Sequence, residues 1–234
     1  MNSELHITLN TCINKLSTSL RILNERNMDF AKLKEIDIEE AITNIESACD
    51  NVLENIHSTD EIMRKLRLIS NYYPSIKFLT HLRNIRHHNP KNSPFSLTNT
   101  LLNKNEYSEW YSHEIIIDKE NYKSPMVLAF DLTNLPQAMF ALTKLENSRL
   151  KQSHIDKLFF EIGLEKFIKN YRAISPFSLD IQPLIIKSLS LLLPPIKKNG
   201  LDKNLLFDSA TYVNFFMNMK SCELRNIKIL TSVN

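Results

Sequence analysis

Apolar residues recur at three- and four-residue steps through the first part of the chain: Leu5, Leu9, Ile13, Leu16, Leu20 and Leu23. That spacing lines one face of a helix and predicts a long amphipathic helix, broken around Asn24 to Asp29. A second helical pattern runs from about Ile36 to Ser70, with Ile38, Ala41, Ile42, Ile45, Ala48, Cys49, Val52, Leu53 and Ile56 on one face. Within it, Ser58-Thr59-Asp60-Glu61 has the composition of a helix cap followed by first-turn acids, which predicts an interruption. Pro74 opens a third helix at the position where proline is tolerated, with Ile76, Phe78, Leu79, Leu82 and Ile85 as its apolar set. Pro90 biases Asn89 away from helical geometry, so this helix should stop near His88. Three or four antiparallel helices before Pro90 make a bundle.

The pattern then changes. Lys91 to Asn105 is polar and reads as a loop, followed by Tyr107, Trp110 and Tyr111. Glu114 to Ile117 and Met126 to Phe130 are two short strand patterns around Asp118-Lys119-Glu120-Asn121, a β-hairpin signal. Helical periodicity resumes at Ala138 to Leu145, Ile155 to Ile168, Asp180 to Leu193 and Leu205 to Met219, and Ile227 to Val233 is a candidate last strand joining the hairpin. The expected fold is mostly α. A helical bundle over residues 1–105 is followed over 106–234 by a small β-hairpin or three-stranded sheet and additional C-terminal helices, packed as one unit with the first.

Composition narrows the chemistry. The chain has 234 residues, 43% hydrophobic and 24% charged, with only two glycines, Gly163 and Gly200. Phosphate-cradling loops and nucleophile elbows depend on glycine for φ > 0, so those readings have no footing, and the scarcity favours helices. Cys12, Cys49 and Cys222 are widely spaced and odd in number, which implies neither a metal site nor a disulfide framework. The most apolar stretch, Pro183 to Ile196, is interrupted by Lys187 and too short to span a bilayer. The N-terminus lacks a basic segment followed by an apolar core, so no signal peptide is expected and the protein reads as cytoplasmic.

Charge is unevenly placed although the net value is only +3. Between Asp29 and Glu61 ten acids stand against Lys32 and Lys34; from Ile62 to Asn105 there is no acid at all, but Arg64, Lys65, Arg67, Lys77, Arg83, Arg86, Lys91 and Lys104. Two solvated faces of opposite sign that attract each other would account for this. A basic surface for nucleic acid, or an acidic face docking a basic partner, would account for it as well.

Within the basic run lies His81-Leu82-Arg83-Asn84-Ile85-Arg86-His87-His88-Asn89-Pro90. Arg83-Asn84-Ile85-Arg86-His87-His88 has the form Arg, polar residue, three others, His. In a helical bundle this resembles the HEPN superfamily, with Arg83 matching the motif arginine, Asn84 the polar follower and His88 the histidine. The resemblance covers about the first hundred residues and implies a homodimer whose two motifs meet in a composite cleft. It also implies metal-independent RNA cleavage without a cofactor, and a role as a toxin or antiviral defence effector with an antitoxin or other regulatory partner. No family counterpart is evident for Tyr107 to Asn234.

The chemistry suits those residue types. Cleaving RNA without a metal requires deprotonation of a 2′-OH, and histidine titrates in the right range. The phosphorane is doubly charged, and a guanidinium fork stabilises it. Five residues on a regular helix turn by roughly 140°, which separates Arg83 from His88, whereas His87 at four residues shares the face of Arg83. Either His88 leaves the helical register before Pro90, or His87 is the working histidine; His88 is preferred. Arg86 is a possible supporting residue, and Glu46 and Asn44 on the second helix are candidate partners for Arg83. The same bare spacing recurs at Arg149 to His154 without a polar follower. His113 beside Trp110 and Tyr111 is a candidate for base stacking. His6, His57 and His154 stand alone and receive no role. The competing reading is a basic helix end whose histidines cap C-terminal carbonyls, in a non-catalytic module binding nucleic acid or a protein through its basic face.

Overall fold

A computed structural model describes residues 3–33, 35–88, 129–131, 143–144, 151–162, 177–218 and 229–231. The described residues are mostly helical. In chain order they form α1 (Ser3–Leu33), α2 (Ile38–Lys65), α3 (Pro74–His88), β1 (Ala129–Asp131), α4 (Gln152–Glu161), β2 (Phe177–Asp180), α5 (Gln182–Leu192), α6 (Pro194–Lys198), α7 (Phe207–Asn218) and β3 (Ile229–Thr231).

The chain divides into two compact units. One comprises Met1–Asn84 with Leu184–Arg225, the other Ile85–Pro183 with Asn226–Asn234. The segment from Leu184 to Arg225 thus clusters with the N-terminal helices. In that first unit α1 lies along α2, burying Leu9, Ile13, Leu16, Leu20 and Leu23 from one side and Ala41, Ile45, Val52, Leu53 and Ile56 from the other. Polar ties join α1 to the C-terminal segment. Asn14 Oδ1 accepts the Leu206 backbone N–H at 3.2 Å, and Arg21 Nε lies 3.6 Å from Asp208 Oδ2 on α7.

Two expected helix breaks are absent. α1 runs through Asn24 to Asp29 and on to Leu33, with Phe30 buried beyond the polar stretch. Tertiary burial of that ring outweighs the weak local preference of the asparagines. α2 is likewise continuous through Ser58-Thr59. There the Thr59 hydroxyl donates to the Asn55 carbonyl at 2.7 Å, inside the helix, rather than capping a new one. Asp60 is buried and accepts from Arg64 Nε at 3.0 and 2.8 Å, while Arg64 Nη1 donates to the Asn71 carbonyl at 3.1 Å. This anchors the end of α2 to the turn leading into α3. The N-cap of α2 is Asp37, whose side chain accepts the Glu40 N–H at 2.9 Å.

In the second unit, β2 pairs antiparallel with β1 and with β3, giving the order β1-β2-β3. The predicted hairpin is not seen: Glu114 to Ile117 lies outside the described residues, and Ala129–Phe130 pair with Leu179–Asp180 instead. Local turn chemistry suggested a hairpin, whereas the pairing observed joins strands far apart in sequence. Tyr107, Trp110, Tyr111, His113 and Arg149 also lie outside the described residues.

Among the described residues one helix-stop motif occurs twice, with different residues at its positive-φ position. After α2, Arg67 N–H bonds to Arg64 O at 3.0 Å and Leu68 N–H to Met63 O at 2.9 Å, with Arg67 at φ 56°. After α6, Gly200 N–H bonds to Lys197 O at 2.9 Å and Leu201 N–H to Ile196 O at 3.0 Å, with Gly200 at φ 66°. Both are Schellman stops, for which glycine is the unstrained choice. Nothing lies within 4 Å of a Cβ built on Gly200, so only backbone conformation separates the two sites. Arg67→Gly should therefore raise stability by about 1 kcal/mol and Gly200→Ala lower it by about 1 kcal/mol. Urea-denaturation midpoints that move in these opposite directions are the expected result.

Candidate functional site

α3 begins at Pro74 and keeps helical form to His88. Its apolar set, Ile76, Phe78, Leu79, Leu82 and Ile85, is fully buried, which fixes the rotation of the helix and places Arg83 and Asn84 at its partly exposed edge. Because His88 remains helical, its Cα stays in the register that turns it by roughly 140° from Arg83. The side chains of Arg86, His87 and His88 lie outside the described residues.

Arg83 does not stand alone. Its Nε donates to Glu54 Oε2 on α2 at 2.6 Å, and its Nη1 donates to Asn84 Oδ1 at 3.0 Å. The arginine side chain is 21% exposed and the glutamate 40%, so the pair sits at the edge of the core. A pair so placed contributes about 1 kcal/mol at most, and its larger effect is geometric. Glu54 and Asn84 take two of the five guanidinium N–H groups, and no described residue takes the other three. The carboxylate that bonds Arg83 is thus Glu54. Glu46, expected in that role, lies two helical turns earlier on α2.

His57 follows Glu54 by one turn on the same helix, the spacing at which helical side chains are neighbours. It is half-buried, and its pKa is lowered from the usual histidine value. Burial is the largest cause and the nearby Arg83 charge the second; Glu54, Glu61 and Asp60 act in the opposite sense. Three acids on its own helix would suggest a readily protonated imidazole. Desolvation and the arginine from α3 outweigh them, so the neutral imidazole is favoured. Sequence reasoning passed over His57 because Arg83 reaches it only through tertiary packing.

Two other features offer different chemistry. A groove of about 400 Å³ between α1 and α2 is lined by Thr11, Asn14, Lys15, Thr18, Asn51 and Asn55, among others. It presents amides, hydroxyls and one cation together with the apolar side chain of Ile22, and no proton-transfer pair. The Cys12 thiol has its pKa raised, chiefly by burial, and is therefore a poor nucleophile at neutral pH. Among the described residues no three His, Cys, Asp or Glu side chains are grouped to hold a metal ion, and no helix is long and apolar enough to cross a membrane. Compared with protein-family models, curated proteins and solved structures, the chain matches none.

The electrostatic couplings have opposite signs that a titration can resolve. Arg83→Ala should raise the His57 titration midpoint and Glu54→Gln should lower it, both followed by the imidazole resonances in NMR. The linkage sign follows from the same shift. With a folded-state pKa below the unfolded one, the unfolded chain takes up a proton first as pH falls through about 6.5. The stability contributed by neutral His57 is present above that pH and is lost as pH falls through the lower, folded-state value. In His57→Gln the loss of stability between pH 7 and 5 should be shallower than in the wild type, measured by denaturant midpoints across that range.

Proposed function

We propose that the chain is a metal-independent endoribonuclease of HEPN type, acting in the cytoplasm as a homodimer. Arg83 stabilises the phosphate, Asn84 positions it, and His88 is the general acid or base, with His87 and Arg86 in support. The observation that carries this reading is the clamped guanidinium: Glu54 from α2 and the adjacent Asn84 hold Arg83, and among the described residues nothing takes its other three N–H groups, which would meet phosphate oxygens. A charge fixed before substrate arrives costs no reorganisation when the phosphorane forms, and this is how such groups accelerate a reaction. A toxin or antiviral defence role, with an antitoxin or other regulatory protein as partner, follows from the same resemblance.

One observation favours a second reading. The Arg83–Glu54 contact ties α3 to α2, as a purely structural arginine would, and a basic face without catalysis would then serve a helical module that binds nucleic acid or a protein. The two readings separate on variants. Under the nuclease reading, single-stranded RNA is cleaved equally with and without EDTA. His88→Ala then loses at least about 100-fold in rate while still binding RNA, and Arg83→Ala loses both activity and affinity. If His88→Ala retains full activity while Arg83→Ala and Arg86→Ala abolish binding, the nuclease assignment is wrong and the binding module stands.

A further inference from the structure

The ribonuclease reading assigns Arg83 a phosphate and leaves unstated which group on the same face receives the proton. α2 supplies a histidine there. Glu54, whose carboxylate touches Arg83 at 2.6 Å, and His57 are one turn apart on one flank of the helix. The flank cannot rotate freely, because Val52, Leu53 and Ile56 on the same helix are buried at 0–1% exposure. We propose that His57 is a proton acceptor of the site built on Arg83, taking the 2′-OH proton of the nucleotide whose phosphate Arg83 binds. This assignment rests on the ribonuclease reading.

The step balances without a cofactor. The 2′-OH proton passes to the imidazole as the 2′-oxygen bonds to phosphorus. The bond from phosphorus to the 5′-oxygen then breaks, and that oxygen leaves with a proton from His88 in the scheme above. The products are a 2′,3′-cyclic phosphate and a free 5′-OH. Acceptance needs an imidazole that is neutral beforehand. The charged groups bearing on His57 are Arg83 from α3 and Glu54, Asp60 and Glu61 from α2, and burial and Arg83 favour its unprotonated form. Once it holds the proton, the three carboxylates and the bound phosphate stabilise the imidazolium. The arrangement therefore favours the neutral form before the transfer and the charged form after it.

The wild-type chain and His57→Gln are compared on a single-stranded RNA from pH 5 to 8. The expected result is a loss of about 100-fold in kcat with KM little changed, together with disappearance of an acid limb whose midpoint lies below the ordinary histidine value. An unchanged rate and pH profile in His57→Gln, with the wild type active, overturns the assignment and leaves the ribonuclease reading intact. No cleavage by the wild type overturns that reading and this assignment with it. A second measurement needs no variant. A 2′-O-methyl oligoribonucleotide, which binds but cannot be cleaved, should move the His57 imidazole resonance and raise its titration midpoint in the wild-type protein. A resonance that stays in place at saturation sinks the proposal even if His57→Gln fails to fold.

Discussion

The first unit depends on the buried face of α2, apolar from Ala41 to Ile56 and interrupted by Thr59 and Asp60 before Met63. That face is buried against α1 along most of its length, and single truncations within such a core cost about 2–5 kcal/mol each. The helix therefore has one permitted rotation. Its flanks follow from that rotation: Asn51 and Asn55 border the groove shared with α1, while Glu54 and His57 lie on another flank. Once the apolar stripe is satisfied, the polar positions on either side of it have no freedom to exchange places. Function on this helix is a consequence of where the core leaves room.

Much of the helical frame is legible in the chain. The apolar sets of α1, α2 and α3 are the buried ones except for Leu5 and Ile38 at the helix starts, which are partly exposed, and Pro74 opens the third helix as expected. What failed were predicted breaks argued from local chemistry alone. Asn24 to Asp29 and Ser58-Thr59 prefer caps and turns when isolated. Phe30 and Met63, buried further along, keep the helices going. Arg67 shows the converse: no sequence rule places an arginine at positive φ, and it is held there by the two carbonyls at the end of α2. The sheet was the least legible part, since β2 joins strands distant in sequence on both sides, and turn signals carry no information about such pairs.

At the candidate site, Arg83 and Asn84 were visible as a local motif, and they do touch. The partner across from them was not. Glu46 and Glu54 lie eight positions apart on α2, roughly 12 Å along its axis. Which of them meets Arg83 depends on how far α3 slides along α2. That position is a matter of tertiary packing, with Phe78, Leu79 and Leu82 all buried, and the charge pattern of either helix alone does not encode it. His57 was hidden for the same reason. The charged groups of its own helix that act on it are all acids, and what lowers its pKa is burial in the tertiary fold together with a positive charge that arrives from the other helix.

The Arg83–Glu54 pair has two opposing effects on any anion that approaches. The carboxylate cancels much of the guanidinium's long-range attraction, so Arg83 is a poorer lure for a polyanion than a free surface arginine. The same contact fixes the planar fork, removing rotamers that would otherwise have to be frozen on binding. Long-range attraction of such an anion must then come from the wider basic run, where Arg67 is exposed and Lys77 partly exposed. Such a division of labour is physically coherent. Mobile cations concentrate the anion over a range of about 10 Å, where salt screens them readily. A held arginine acts within hydrogen-bond distance, where screening is weak and angle matters more than net charge. For Arg83 the value of Glu54 is therefore orientation, obtained at the expense of reach.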